Sequence, residues 1–217
     1  MDSRRNLPAT LVSGVLAVAR GLVTLGLALT AFFVVVAPFT SGELEIDASW
    51  LTIGSRMTIP VRFYVDSDAH RIAAPSIGVS GAELRDTHGS LRFPAPEGPF
   101  LFLNAAFLIA LFLVAIWGLG QLHKVVSTMR KGQPFVAANA KRLRRVAVAV
   151  VAGEVLRAGL VFVDQLYAKT HFTAAGLLFD ASFNVDFFEV FLAFVIFAIA
   201  EVFAAGTRLD EDQALTI

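Results

Sequence analysis

Four long apolar runs divide the chain, separated by polar segments of very different length. The first lies within residues 11–38, where Arg20 is the single charge and Pro38 stops the run. The second, Pro99 to Leu122, has no charge, and only Asn104 and Gln121 are strongly polar. The third, at about 146–168, holds Glu154, Arg157 and Asp164, and the fourth, at about 187–205, holds Glu189 and Glu201. A helix rises about 1.5 Å per residue, so about 20 apolar residues cross a hydrocarbon core of about 30 Å. Each run is therefore predicted to be a transmembrane helix, the third being the weakest on hydropathy.

Between the first two runs the period changes. Met57, Ile59, Val61, Phe63 and Val65 alternate with Thr58, Arg62 and Tyr64, which is the two-residue period of a strand. Ser41-Gly42, Gly54-Ser55, Asp66-Ser67-Asp68, Gly81 and Gly89-Ser90 supply turns. Residues 39–98 are expected to form a small β-rich subdomain resting on the helix ends, because about 60 residues make a marginal independent core. Pro60 marks its best strand as an edge or as bulged. The predicted fold class is thus an all-α membrane protein. It is a four-transmembrane-helix bundle with a small extracytoplasmic β-rich insertion between helices 1 and 2, over one integral membrane domain, residues 1–217.

Composition agrees. The chain is 56% hydrophobic and only 17% charged, whereas soluble domains carry about a quarter charged residues. Net charge is zero, so no global field points to nucleic acid, and the absence of Cys excludes disulfides and thiolate chemistry. Arg4, Arg5 and Ala17-Val18-Ala19 imitate a cleaved signal peptide, but apolar residues continue past Arg20, which is expected of an uncleaved anchor.

The placement of charge sets the threading. Segment 123–145 holds seven basic residues (Lys124, Arg130, Lys131, Lys141, Arg142, Arg144, Arg145) and no acid, while 39–98 holds five Arg against eight acids. Short loops rich in Lys and Arg stay on the cytoplasmic side. The expected topology has the N-terminus in, 39–98 out, a basic hairpin 123–145 in, the turn 169–186 out and the tail 206–217 in. Within the hairpin, the second helix is expected to run on to Lys131 and end at Gly132 in the left-handed region. Pro134 then restarts a helix with Val136, Ala140, Leu143 and Ala147 on one stripe.

The pattern Gly132-x-Pro134-Phe135-x3-Asn139-x2-Arg142-Leu143 resembles the hairpin of an uncharacterised bacterial membrane-protein family catalogued as domain of unknown function 2975. Glu201 in an apolar helix, then Gly206-x2-Leu209 and acids before Leu215-Thr216-Ile217, resembles the end of that family. The resemblance implies a four-helix protein of the bacterial cytoplasmic (inner) membrane, with no assigned activity. Some relatives are encoded beside small helix-turn-helix regulators, which implies a membrane partner of a transcription factor.

Two sets of residues are candidates for function. Arg20, Glu154, Arg157 and Glu201 are expected to form an intramembrane polar cluster, because charges in a bilayer are costly and face one another or water. That cluster reads either as a proton or ion path or as an ion-pair set that fixes helix register. Lys131, Lys141, Arg142, Arg144 and Arg145 read either as a topology signal touching anionic lipid or as a docking site for an acidic cytoplasmic partner. Gly132, Pro134, Phe135 and Asn139 are expected to build the hairpin itself. The four His, at 70, 88, 123 and 171, are scattered, and Gly-x-Ser-x-Gly and phosphate-loop patterns are absent. No catalytic, metal or cofactor site is therefore expected, and Asp66, Asp68 and Asp86 read as acidic turns. The first functional expectation is a binding or regulatory partner of a cytoplasmic protein, without enzymatic activity and without direct contact to nucleic acid. The second is a small transporter or channel subunit, which would require homo-oligomers.

Overall fold

A computed structural model describes residues 7–36, 46–48, 51–53, 56–65, 72–74, 79–82, 87–94 and 98–214. Pro38, Asp66, Asp68, Asp86, Trp50 and the last three residues lie outside them. The chain is mostly helical. Its four long helices are α1 (Leu7–Val36), α2 (Pro99–Arg130), α3 (Ala137–His171) and α4 (Phe187–Ala214). Each contains a stretch long and apolar enough to cross a membrane. Phe187, Phe188, Phe191, Phe194 and Val202 of α4 are exposed. Soluble proteins rarely leave apolar surface of that extent uncovered.

Six short strands follow α1: β1 (Ile46–Ala48), β2 (Leu51–Ile53), β3 (Arg56–Val65), β4 (Ile72–Ala74), β5 (Val79–Ala82) and β6 (Thr87–Pro94). A seventh, β7 (Leu177–Asp180), lies between α3 and α4, where the sequence suggested only a polar turn. The larger sheet has the antiparallel order β6-β3-β7, so the β-structure is not confined to the segment between the first two helices. β7 pairs only with Arg62–Val65, and Pro60 lies in the part of β3 paired to β6 alone. Among the described residues no second strand pairs with Pro60 and needs its missing N–H.

Contacts group the chain into two compact units, and α1, α2 and α3 each contribute residues to both. One comprises residues 32–107 and 157–184. Here Ile59 and Val61, on the apolar face of β3, pack with Phe93 and Ala168, and Phe100, Tyr167 and Phe172 close the cluster. The sheet thus rests on the first turn of α2 and the last turns of α3. Tyr167 stacks on Phe100 at 3.8 Å between ring centroids and on His171 at 4.2 Å. Asn104 of α2 donates to the carboxylate of Asp164 in α3, and both are buried. Phe107 lies over Gly159, where an added Cβ would meet the ring at 2.9 Å.

Lys169 and Asp180 pair at 3.2 Å across this unit. Partial desolvation pushes the Asp180 carboxyl up. The hydrogen bonds from Lys169 and the Ala181 N–H, with the charges of Lys169 and Arg62, outweigh it and hold the group below its ordinary 3.8. A carboxylate with a depressed pKa stabilises the fold above its unfolded pKa, and that contribution disappears as pH falls through the folded value. The expected outcome is a loss of thermal stability confined to acid pH, worth under about 1 kcal/mol for a pair this exposed. Melting curves at stepped pH should show it in the native chain and less of it in Lys169→Gln, where the Ala181 N–H and Arg62 remain.

The other unit comprises residues 1–31, 108–156 and 185–217. α1 meets α2 where Gly26 admits the ring of Phe112 and where Arg130 donates to Ser13 Oγ at 3.2 Å. α2 meets α3 at Gly118 and Ala149 and at Leu111 and Gly153. Small residues at helix crossings let backbones approach closely, which is how helices associate without a hydrophobic driving force in lipid. Val125, Leu143 and Ala200 form a buried cluster with Phe203 beside it.

Candidate functional site

The site is the hairpin between α2 and α3 together with the last turns of α4. The end of α2 sets its geometry. The Gly132 N–H donates to Met129 O at 3.1 Å and the Gln133 N–H to Thr128 O at 3.1 Å. This pair of bonds is the Schellman arrangement, and it needs a residue with positive φ after the last helical turn. Gly132 fills that place with φ of 73°. Pro134 cannot extend the helix and leaves its carbonyl free to accept.

Asn139 closes the turn from inside. It is fully buried, on the first turns of α3. Its Nδ2 donates to Pro134 O at 2.9 Å and to Thr128 Oγ1 at 2.7 Å. Its Oδ1 accepts from Arg142 Nη1 at 3.0 Å. One amide therefore ties the end of α2, the turn and the start of α3. Arg142, expected on the docking face, is spent on this internal bond.

Phe135 fixes the hairpin to α4. Its ring lies 5.9 Å from that of Phe203 and covers Gly206, where an added Cβ would come within 2.5 Å of Cδ1. Glycine inside a helix costs about 1 kcal/mol relative to alanine. Its presence in α4 is explained by this seat. The helix continues through it to Ala214, so residues 206–214 extend α4 where the sequence reading ended it at 205. Thr207 is buried beside it and donates to Phe203 O at 2.9 Å.

Glu201 is held by Arg144, whose Nε and Nη2 reach Oε1 at 3.0 and 2.8 Å. The cation on Glu201 is thus a hairpin residue and not Arg20. The pair remains substantially exposed. Lys131, Lys141 and Arg145 are exposed as well, with no acidic partner among the described residues.

Glu154 and Arg157, two further members of the expected polar cluster, reach the connection into α4. Glu154 is buried and accepts from the backbone N–H of Asp186 at 2.6 Å. Arg157 donates to the Asn184 carbonyl at 3.3 Å, and the buried Gln165 accepts from the Ser182 N–H at 3.0 Å. These side chains satisfy the non-helical backbone that leads into α4, which a low-dielectric surrounding would otherwise penalise. Arg20 is exposed and lines a groove with Trp117 and Lys124. The spacing of Glu154, Arg157 and Asp164 was readable as one helical face. What that face holds was not: Glu154 and Arg157 bond backbone groups of a distant segment and Asp164 bonds the Asn104 side chain, and periodicity within α3 signals neither.

Four helices long and apolar enough to cross a membrane point to a multi-pass membrane protein. The family described as protein of unknown function (DUF2975) matches residues 68–217, more than half of the chain, and the protein belongs to that family. The matched region contains the hairpin and the Gly206 end of α4 in full. Comparison with curated proteins and with solved structures gives no match.

Proposed function

We propose that the protein is a non-catalytic binding or regulatory component of the bacterial inner membrane, with both termini and the hairpin cytoplasmic. The hairpin, braced by α4, serves it as a docking surface for an acidic face on a cytoplasmic protein. A small helix-turn-helix regulator, implied by the family resemblance, is one such partner. The observation that carries this reading is the contrast inside the hairpin. Asn139, Phe135 and Arg144 are engaged in holding its shape, whereas Lys131, Lys141 and Arg145 stand exposed on that shape with no acidic partner among the described residues. A topology signal needs only charge. A fixed presentation of charge favours recognition of a complementary surface. The transporter reading draws less support, since Glu154 and Arg157 hold backbone groups of one connection.

The test is co-purification of the full chain in mild detergent beside a Lys131→Gln, Lys141→Gln, Arg145→Gln variant. These positions avoid the internal Arg142 and Arg144 bonds, so the hairpin should keep its fold. A stoichiometric cytoplasmic protein retained by the native chain and reduced about tenfold or more in the variant is the expected outcome, since three rim charges contribute mainly to encounter and register. Equal recovery from both would refute docking at these residues. The chain has no Cys, so single introduced cysteines at Lys131 and in β3 report the sidedness of each without background.

A further inference from the structure

An open groove of about 350 Å³ lies along α2, with Arg20 of α1 on its rim. Its lower part is apolar, lined by Leu113, Ile116 and Trp117. Two cations, Arg20 and Lys124, also line it, both exposed and both without an acidic partner among the described residues. Gln121 is buried in its lining, with no side-chain hydrogen bond among the described residues. Gly120 also lines the groove, and a Cβ built there meets nothing within 4 Å, so the wall is open along the helix.

We propose that this groove binds one anionic phospholipid, with its phosphate between Arg20 and Lys124 and one acyl chain against Trp117, Ile116 and Leu113. The dimensions fit. Lys124 follows the end of the uncharged run of α2 at Leu122, which places Lys124 at headgroup level if that run spans the hydrocarbon. Leu113 lies eleven residues before Lys124, about 16 Å deeper along the helix. A soluble anion would use the cations and leave the apolar floor wet. A neutral lipid would use the floor and leave two charges uncompensated. An anionic lipid satisfies both, and Gln121 can donate to its ester oxygens. The site is separate from the hairpin cations Lys131, Lys141 and Arg145. It rests on the membrane embedding proposed above, and the experiment tests the two separately.

Trp117 is itself the probe. In a Trp50→Phe background it is the single tryptophan of the full chain. The protein is reconstituted in phosphatidylcholine vesicles containing graded amounts of either brominated phosphatidylglycerol or brominated phosphatidylcholine, and Trp117 quenching is followed. Brominated phosphatidylglycerol is expected to quench at a severalfold lower mole fraction. A basic residue near the headgroups contributes about 1 kcal/mol, about fivefold in preference. Arg20→Gln or Lys124→Gln should lower the preference by about that factor, and the double variant should abolish it while neutral-lipid quenching persists. Gly120→Phe, whose Cβ meets nothing within 4 Å, should reduce quenching by the anionic lipid. Changing Lys131, Lys141 and Arg145 to Gln should leave the preference unchanged. Equal quenching by both lipids, or a preference that survives the Arg20 and Lys124 double variant, would overturn the site. Relief of phosphatidylglycerol quenching by millimolar inorganic phosphate would also overturn it, by showing an anion site indifferent to the acyl chain. Quenching by neither lipid would reject the embedding along with it.

Discussion

Replacing Asn139 with Ala is expected to destabilise the protein by about 2–4 kcal/mol, the largest effect of any single change in the hairpin. The side chain is fully buried and bonds Pro134 O, Thr128 Oγ1 and Arg142. Truncation leaves these groups without their partner, and an unsatisfied buried polar group costs about 1–3 kcal/mol. Thr128 also donates to Val125 O at 2.7 Å, so it retains one bond, and Arg142 can turn toward water. The unsatisfied Pro134 carbonyl and the emptied space dominate the loss. For a chain of this length about 2–4 °C of melting temperature accompanies each kcal/mol. Thermal denaturation of the detergent-solubilised protein should therefore show a fall of roughly 4–16 °C. Thr128→Val alone should cost less, and the Asn139→Ala, Thr128→Val double variant should fall short of the sum, because the two share one bond. Full additivity would mean that Asn139 acts through something other than this network.

Gly206→Ala is the second large effect, and its sign is expected to depend on Phe135. In the native chain the new Cβ would lie at 2.5, 2.6 and 3.3 Å from Cδ1, Cε1 and Cγ of Phe135. Rotation about the Cβ–Cγ bond moves Cδ1 and Cε1 but leaves Cγ at 3.3 Å, so relief is partial and the Phe135 ring must shift from its seat on α4. Overpacking of this kind costs about 1–3 kcal/mol. Better helix propensity returns up to about 1 kcal/mol, leaving a net loss of about 1–2 kcal/mol. In a Phe135→Ala background the steric term is gone, and Gly206→Ala should raise the melting temperature by a few degrees. The same sign in both backgrounds would mean that Phe135 is not what Gly206 accommodates. The hairpin variants also bear on function, because a docking surface braced by Phe135 and Asn139 should lose its partner in either, at temperatures where the helices remain folded.

The hydrophobic pattern by itself determined much of this protein. Four apolar runs produced four helices, because about 20 predominantly apolar residues leave the backbone few other ways to satisfy its hydrogen bonds in an apolar surrounding. Alternation at Met57–Val65 produced β3, and Gly132 was legible as a helix end because few other residues adopt positive φ at low cost. The resemblance carried by Gly132, Pro134, Phe135, Asn139 and Gly206 also came from the chain alone, and the family match covers all five. Tertiary structure decided which groups meet. Arg144, and not Arg20, reaches Glu201. β7 joins β3 across more than a hundred residues of chain, from a segment too short to announce itself by period. Glu154 and Arg157 hold backbone atoms of the connection into α4. Local periodicity reports which face of an element is buried or charged, since that depends on near neighbours in sequence. The partner of that face depends on how distant helices and strands are set against one another, and charge or polarity alone admits several partners until the packing selects one.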